Sequence, residues 1–525
     1  MTNFGIICRD LKEYQILNPF ISKITQYSTV FPYDVVKSAL YTPILSNTRT
    51  FPFLAVEVDI SKDEQIDLSH YLSAAIIFFR PNLNDLFESA SNALRQINRY
   101  QNLRFSALLN DFSKWNEFAE LCGHPPTLFV SPELPNNILE LSLWGSTHIF
   151  SVSLSSSHFL PDFTLPIDLS LFIKNLFERC IPVFLPASVP NFPNLFATIY
   201  SVMSATTPTP FVDIFRPPME TVTCDLPSLC YEEFEEDQVK YEKYQLAIEK
   251  AIKSKGDPSA LFVAVVGAGR GPLVDCALKA GAVNIFVIEK NRSVFQFLEM
   301  KKTVSWPGTV QLFCGEMRSI ELPHKVDILI SELLGGFGDN ELCPECLEGC
   351  ERFLNKNAIS VPKEYTSFLV PLMSQHLWTK ALFEMKQQSM LVIPLAASVF
   401  ISEPSSVFKF SHPGKNELYQ TKMIKFNPSL FNGMCNGFGG WFEATLFDDV
   451  VISSSPINGT LKMISWMPVY FPLEQAVNVK EGECISIMFS RKSDGNAVWY
   501  EWSMVSPEYT SISNGGGRIF SFGLK

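Results

Sequence analysis

The stretch ALFVAVVGAGRGPLV, Ala260 to Val274, decides the fold. It opens with an apolar run of strand length, ALFVAVV. Gly267, Gly269 and Gly271 follow, and a helical pattern comes after them. Strand, glycines and helix in that order let the backbone come close to a ligand, because glycine has no Cβ to hold it off. Pro272 stands where a G-x-G-x-x-G motif would place its third glycine, so the dinucleotide fingerprint is broken. Glu289 lies about 20 residues beyond the loop, where a carboxylate can accept both hydroxyl hydrogens of a ribose.

An adenosine ligand without a pyrophosphate suits this pattern best, and S-adenosylmethionine is such a cofactor. The surrounding pieces agree. NIFVIEKN (Asn284–Asn291), VQLFCGEM (Val310–Met317) and VDILISEL (Val326–Leu333) read as further strands, giving the β-α-β order of a doubly wound, Rossmann-like sheet. Upstream, Tyr241, Tyr244, Ile248 and Ile252 recur at helical spacing, so Tyr231 to Gly256 is expected to form one amphipathic helix. The last strand runs into SELLGGFGDNE, Ser331 to Glu341, in which Glu332 and Glu341 flank three glycines. On spacing alone these are two solvated loop acids.

Away from this centre the pattern changes twice. The first 205 residues alternate apolar runs such as FLAVEVDI (Phe53–Ile60) and THIFSVSL (Thr147–Leu154) with helical stretches, which implies βα units and a parallel sheet. Residues 206–230 carry five prolines and read as a linker wrapped over a surface. Beyond Val361, MISWMPVYF (Met463–Phe471), ECISIMFSR (Glu483–Arg491) and AVWYEWSMV (Ala497–Val505) imply an antiparallel β domain, a barrel or sandwich.

The net charge of −12 argues against direct nucleic-acid binding and favours basic ligands. No run approaches the roughly 18 apolar residues of a membrane span. Arg9 and Asp10 interrupt the apolar start too early for a signal peptide. Cys343, Cys346 and Cys350 tempt a zinc reading, but no second cysteine or histidine pair lies close by. Reduced structural thiols, no metal and a cytoplasmic home are expected, with the nucleus also open.

Taken together, VVGAGRGPLV, SELLGGFGDNELCPECL, YEEFEEDQVKYEKYQ, VPKEYTSFLVP and VWYEWS resemble the type II, symmetric protein arginine methyltransferases. The resemblance runs from about Tyr231 to the end of the chain. It implies a TIM-barrel-like scaffold or docking domain over 1–205 and the 206–230 linker. It implies a Rossmann-like class I methyltransferase domain over 231–360, and a β-barrel for substrate binding and oligomerisation over 361–525. It implies that Glu332 and Glu341 grip the substrate guanidinium, a flat cation whose edges suit paired carboxylates. Tyr231 and Tyr241 would line the cofactor pocket with the glycines and Glu289, and Lys240 would face the cofactor's carboxylate. Glu316 and Met317 would meet its adenine, with Glu316 standing where the family has aspartate. Phe234 and Ser465 would shape symmetric product, and Trp466 would stack on the arginine.

Arg/Gly-rich proteins and histone tails are the implied substrates, with self-association and a β-propeller partner on the N-terminal domain. That domain matches in pattern rather than in motif, so the partner stays open. More glycine than usual between the two glutamates implies a loose loop. Two other classes compete: a nucleotide-dependent oxidoreductase, which Pro272 disfavours, and an inactive scaffold, which retention of both glutamates and Trp466 disfavours.

Overall fold

The computed structural model describes residues 76–524 except 102, 126, 180, 182, 187–189 and 207–213, together with the backbone of strands at 4–7, 28–32 and 54–58. The ends of the expected Phe53–Ile60 strand and part of the proline-rich linker lie outside the described residues. The chain divides into two compact units. One holds residues 1–214, 374–385 and 396–399; the other holds 215–373, 386–395 and 400–525. Among the described residues no helix is long and apolar enough to cross a membrane.

In the first unit, β1 (Phe4–Ile7), β2 (Ser28–Pro32), β3 (Leu54–Val58), β4 (Ile76–Phe79), β5 (Arg104–Ala107), β6 (Leu128–Val130), β7 (Val152–Ser153) and β8 (Val183–Pro186) form one parallel sheet in the order 6-5-4-3-2-1-8-7. The outer strands β6 and β7 are themselves linked by parallel bridges, Val130 to Ile149 and Glu133 to Ser153. Helices α1 (Leu86–Arg99), α2 (Phe112–Leu121), α3 (Ile138–Gly145), α4 (Ile167–Glu178) and α5 (Phe192–Ser204) alternate with the later strands. Their starts follow local rules. Asp85 caps α1 by accepting Glu88 N–H, and Leu86, Ala90, Ala93 and Ile97 form its buried face.

The second unit begins with α6 (Ser228–Glu235) and α7 (Gln238–Lys255). The single helix expected over this span breaks at Asp237. Its side chain caps α7 through Lys240 N–H (3.0 Å) and also accepts the N–H groups of Ile464 and Ser465, each at 2.8 Å. Tyr244, Ala247, Ile248, Ala251 and Ile252 bury the inner face of α7. Then β9 (Phe262–Val266), α8 (Pro272–Lys279), β10 (Asn284–Glu289), α9 (Arg292–Val304), β11 (Val310–Cys314), β12 (Val326–Ser331), α10 (Cys343–Cys350) and β13 (Leu354–Val361) build a parallel sheet in the order 11-10-9-12-13. The strand order reverses between β9 and β12, so the glycine loop and Glu332 emerge side by side at the switch point.

The C-terminal region is antiparallel. Short strands β15 (Leu391–Val392), β16 (Val399–Phe400) and β20 (Val450–Ser453) flank β14 (Glu364–Met373), β17 (Ser405–Ser411), β19 (Gly433–Phe447) and β21 (Val469–Val479) in one sheet; α11 (Gln375–Phe383) interrupts this run of chain. A second sheet holds β18 (Gln420–Pro428), β22 (Cys484–Ser493), β23 (Ala497–Ser506) and β24 (Phe522–Gly523). Phe471 of the first sheet meets Phe489 and Trp502 of the second at ring-centroid distances of 5.1 and 5.2 Å. The expected strand at Met463–Phe471 begins only at Val469. Asp237 has taken two of the preceding N–H groups and Pro468 has none to give, so Ile464–Pro468 forms a loop.

Candidate active site

The site lies wholly in the second unit, around a cavity of about 520 Å³, a size suited to a cofactor. Gly267, Gly269 and Gly271 have φ of 63, 55 and 90°, a left-handed run that only glycine adopts cheaply. A Cβ at Gly271 would also stand 2.7 Å from the Trp306 ring. Glu289, 5% exposed, fixes the loop from β10. One oxygen accepts Gly269 N–H at 2.8 Å and the other accepts Asn291 N–H at 2.7 Å. Burial raises this carboxyl's pKa, and the Asn291 and Gly269 N–H groups oppose the rise.

Tyr231 packs on Gly269, and its hydroxyl lies 3.4 Å from Asn291 Nδ2. Met317 and Glu316 line the same cavity. Arg318 holds Glu316 with its Nε (3.0 Å) and its backbone N–H (3.3 Å), so the longer side chain is turned onto a partner within the chain. Four cations line this cavity: Arg216, Lys240, Arg270 and Lys290. Arg270 pairs with Glu232 (2.8 Å) and Glu235 (3.3 Å), and Lys290 Nζ donates to Val222 O (2.6 Å). A backbone cradle with a buried acid at the end of β10 fits an adenosine cofactor.

Glu332 leaves the end of β12 beside this cradle. Lys240 pairs with it: Nζ lies 3.3 Å from Glu332 Oε2, and the lysine side chain is 0% exposed. The same ammonium lies 4.7, 5.4 and 5.3 Å from the ring centroids of Tyr241, Phe234 and Trp466. A buried ammonium needs a counter-charge, and Glu332 supplies one. Acid and rings thus make a cage already holding a cation. Burial and the Glu332 charge push Glu341 well above the usual glutamate range, against a smaller pull from Lys240. Burial and then Glu332 likewise raise the Tyr241 hydroxyl. Trp466 is oriented by Nε1–H donation to Leu334 O at 2.6 Å and by the edge of Phe442. Ser465 stands beside it on the Asp237 carboxylate.

The loop between the acids is not loose. Gly335 and Gly338 exchange backbone hydrogen bonds of 3.1 and 2.8 Å, and Phe337 is fully buried. A Cβ on Gly336 would collide with Met467 O, so its glycine meets close backbone packing rather than mobility. Sequence reasoning missed the cover of the site. Pro217, Met219, Thr221 and Val222 line the cavity, and Thr221 Oγ1 donates to Glu341 O at 3.4 Å. Proline density was the available signal. Cys343, Cys346 and Cys350 lie buried on α10, and burial pushes the Cys346 thiol up to about 12. Among the described residues no group of three or more side chains is placed to hold a metal.

Residues 203–361 match the PRMT5 arginine-N-methyltransferase family and residues 364–522 match the PRMT5 oligomerisation domain. Protein arginine N-methyltransferase skb1 of Schizosaccharomyces pombe is 32% identical over 78% of this chain and 74% of its own length. The chain belongs to the PRMT5 family. Protein arginine N-methyltransferase 5 of Xenopus laevis is 35% identical over 60% of this chain, and the match spans about half (53%) of that relative's length. A solved structure of the Trypanosoma brucei PRMT1 enzyme–prozyme heterotetrameric complex with AdoHcy covers 56% of this chain and 98% of its own, with a TM-score of 0.47 and 15% identity. Within the PRMT5 family match fall both glutamates, the glycine loop and Glu289; Trp466 falls within the oligomerisation-domain match.

Proposed function

We propose that this PRMT5-family chain methylates arginine residues of proteins with S-adenosylmethionine, forming ω-N-monomethylarginine and then symmetric dimethylarginine. The observation that carries this reading is the cation cage of Glu332, Phe234, Tyr241 and Trp466, beside a cradle shaped for adenosine. The cofactor, when bound, supplies an electrophilic methyl group. The glycine loop and Glu289 would hold its adenosine part, with Tyr231, Glu316 and Met317 around it.

The chain's own residues do the rest. Glu332 and Glu341 orient the guanidinium and offset its charge, so that one nitrogen can present its lone pair. Trp466 covers the flat cation. Burial favours the neutral Glu341 carboxyl, the bound guanidinium cation favours its carboxylate, and that carboxylate accepts the proton released. Phe234 limits the space around the guanidinium and directs the second methyl to the other nitrogen, with Ser465 beside the stacking tryptophan.

The acidic chain suits basic substrates, and we assign Arg/Gly-rich proteins and histone tails in the cytoplasm and nucleus. The parallel strands of the first unit, with bridged outer members, support a TIM-barrel-like docking domain for a β-propeller partner. The antiparallel region supports barrel-like self-association.

Purified protein with S-adenosylmethionine and a Gly-Arg-Gly peptide tests the reading by mass spectrometry. Symmetric dimethylarginine is expected; no methylarginine, or only the asymmetric product, sinks it. Phe234→Met should make asymmetric product appear, and an unchanged product ratio removes Phe234 from the mechanism.

A further inference from the structure

We propose that Arg491 and Tyr500, on β22 and β23, are positioning residues that set Glu341 for the reaction by holding Asp339. This inference rests on the reading of Glu341 given above. Asp339 lies two residues before Glu341 and is fully buried. Its Oδ2 accepts Arg491 Nε–H and the Tyr500 hydroxyl, each at 2.6 Å, and its Oδ1 lies 3.0 Å from Ser367 Oγ. Arg491, itself 0% exposed, turns its other edge to Glu345 in a two-bond fork of 2.7 and 2.9 Å, and donates to Leu418 O at 2.8 Å. One guanidinium therefore clamps the chain on both sides of Glu341, at Asp339 before it and at Glu345 after it.

The clamp adds to restraints the loop already carries. The loop already has a hydrogen-bonded turn at Gly335–Gly338, and Asn340 Oδ1 accepts Phe337 N–H at 2.8 Å. What remains to be fixed is the direction in which the chain leaves that turn, and Leu342 follows Glu341 with a left-handed φ of 62°. A bidentate fork fixes direction as well as distance, which a lone ammonium would not. The β domain would thus aim an acid carried by the methyltransferase domain. A merely structural ion pair could be exchanged for neutral groups without changing catalysis.

The test uses the full chain and three variants. The parent is measured first, and an inactive parent overturns both this proposal and the methyltransferase reading. Asp339→Asn keeps the shape and removes the charge. With S-adenosylhomocysteine still stabilising the variant as it does the parent, kcat should fall roughly 10- to 100-fold and peptide KM should rise, since misplacement by about 1 Å costs that much. Tyr500→Phe should move both constants the same way by less, and it decides the matter where Asp339→Asn does not fold. Arg491→Lys should not restore the parent's rate. The acid limb of the kcat profile should shift to lower pH as Glu341 leaves its buried place. Folded Asp339→Asn or Tyr500→Phe protein with both constants within twofold of the parent and an unmoved acid limb overturns the proposal.

Discussion

The two units bury polarity in different ways. In the first, Trp115 Nε1–H donates to Gln375 Oε1 (2.7 Å), and Gln375 Nε2 meets His124 Nδ1 (2.8 Å). Burial lowers His124 to about 4, so it is neutral at pH 7. Ser106, Ser131 and Ser151 form a hydroxyl chain at 2.8 and 2.7 Å. The second unit buries neutral groups too, but it adds ions: Glu289, Lys240 with Glu332, and Arg491 with Asp339 and Glu345. Burying an ion costs several kcal/mol before pairing repays it, whereas a satisfied hydroxyl or amide costs little. Among the described residues the second unit buries ions in groups that hold one another, while the first buries one ion, Arg179, and otherwise neutral groups.

The sharpest break in that contrast comes from the two acids themselves. Glu332→Gln should slow methylation at least roughly 10²-fold, because charge and paired geometry are lost together. It should also cost about 1–3 kcal/mol of stability, since the Lys240 ammonium stays buried without its counter-charge. Peptide turnover and thermal unfolding measure the two effects. A rate near that of the parent would reduce Glu332 to a loop acid.

Glu341→Gln should slow turnover as well but move stability the other way. Its folded pKa lies above the unfolded value, so the native state favours the neutral carboxyl. That preference is fully present below about pH 4.3 and is lost as pH rises through the folded value. Glutamine keeps the neutral form at every pH. The variant should therefore melt a few degrees higher than the parent at pH 8, about 2–4 °C per kcal/mol, and no higher at pH 4. A lower melting temperature at pH 8 would show that Glu341 is stabilised as an anion, which would contradict the neutral carboxyl that burial favours.

How much of this was legible depended on how local the encoding is. The glycine loop, Glu289 and the βα order are written in single strand–turn–helix stretches, and the structure places them as read. The Lys240–Glu332 pair is not legible, because its members stand 92 positions apart and spacing cannot name them. The composition of Ile464–Pro468 suits a strand, while the competing acceptor, Asp237, belongs to another element. Arg491 left a signal that went unread. It shares the inward parity of Ile485, Ile487 and Phe489 on β22, and a charge at core parity announces a buried partner. Its partners, Asp339 and Glu345, lie 152 and 146 positions away, beyond any local pattern.

The smallest expected effect tests the neutral side of the comparison. Ser131 is 3% exposed and stands between two hydroxyls, Ser106 and Ser151. Ser131→Ala removes one hydroxyl and leaves its neighbours short of a partner, a loss of about 1 kcal/mol for a neutral hydrogen bond of this kind. No charge is stranded and nothing in the cation cage shifts. The variant should unfold at slightly lower denaturant while peptide kcat and KM match the parent. A loss of several kcal/mol would mean that the hydroxyl chain bears on the first unit as heavily as an ion pair does, and the division between neutral and ionic interiors would fail.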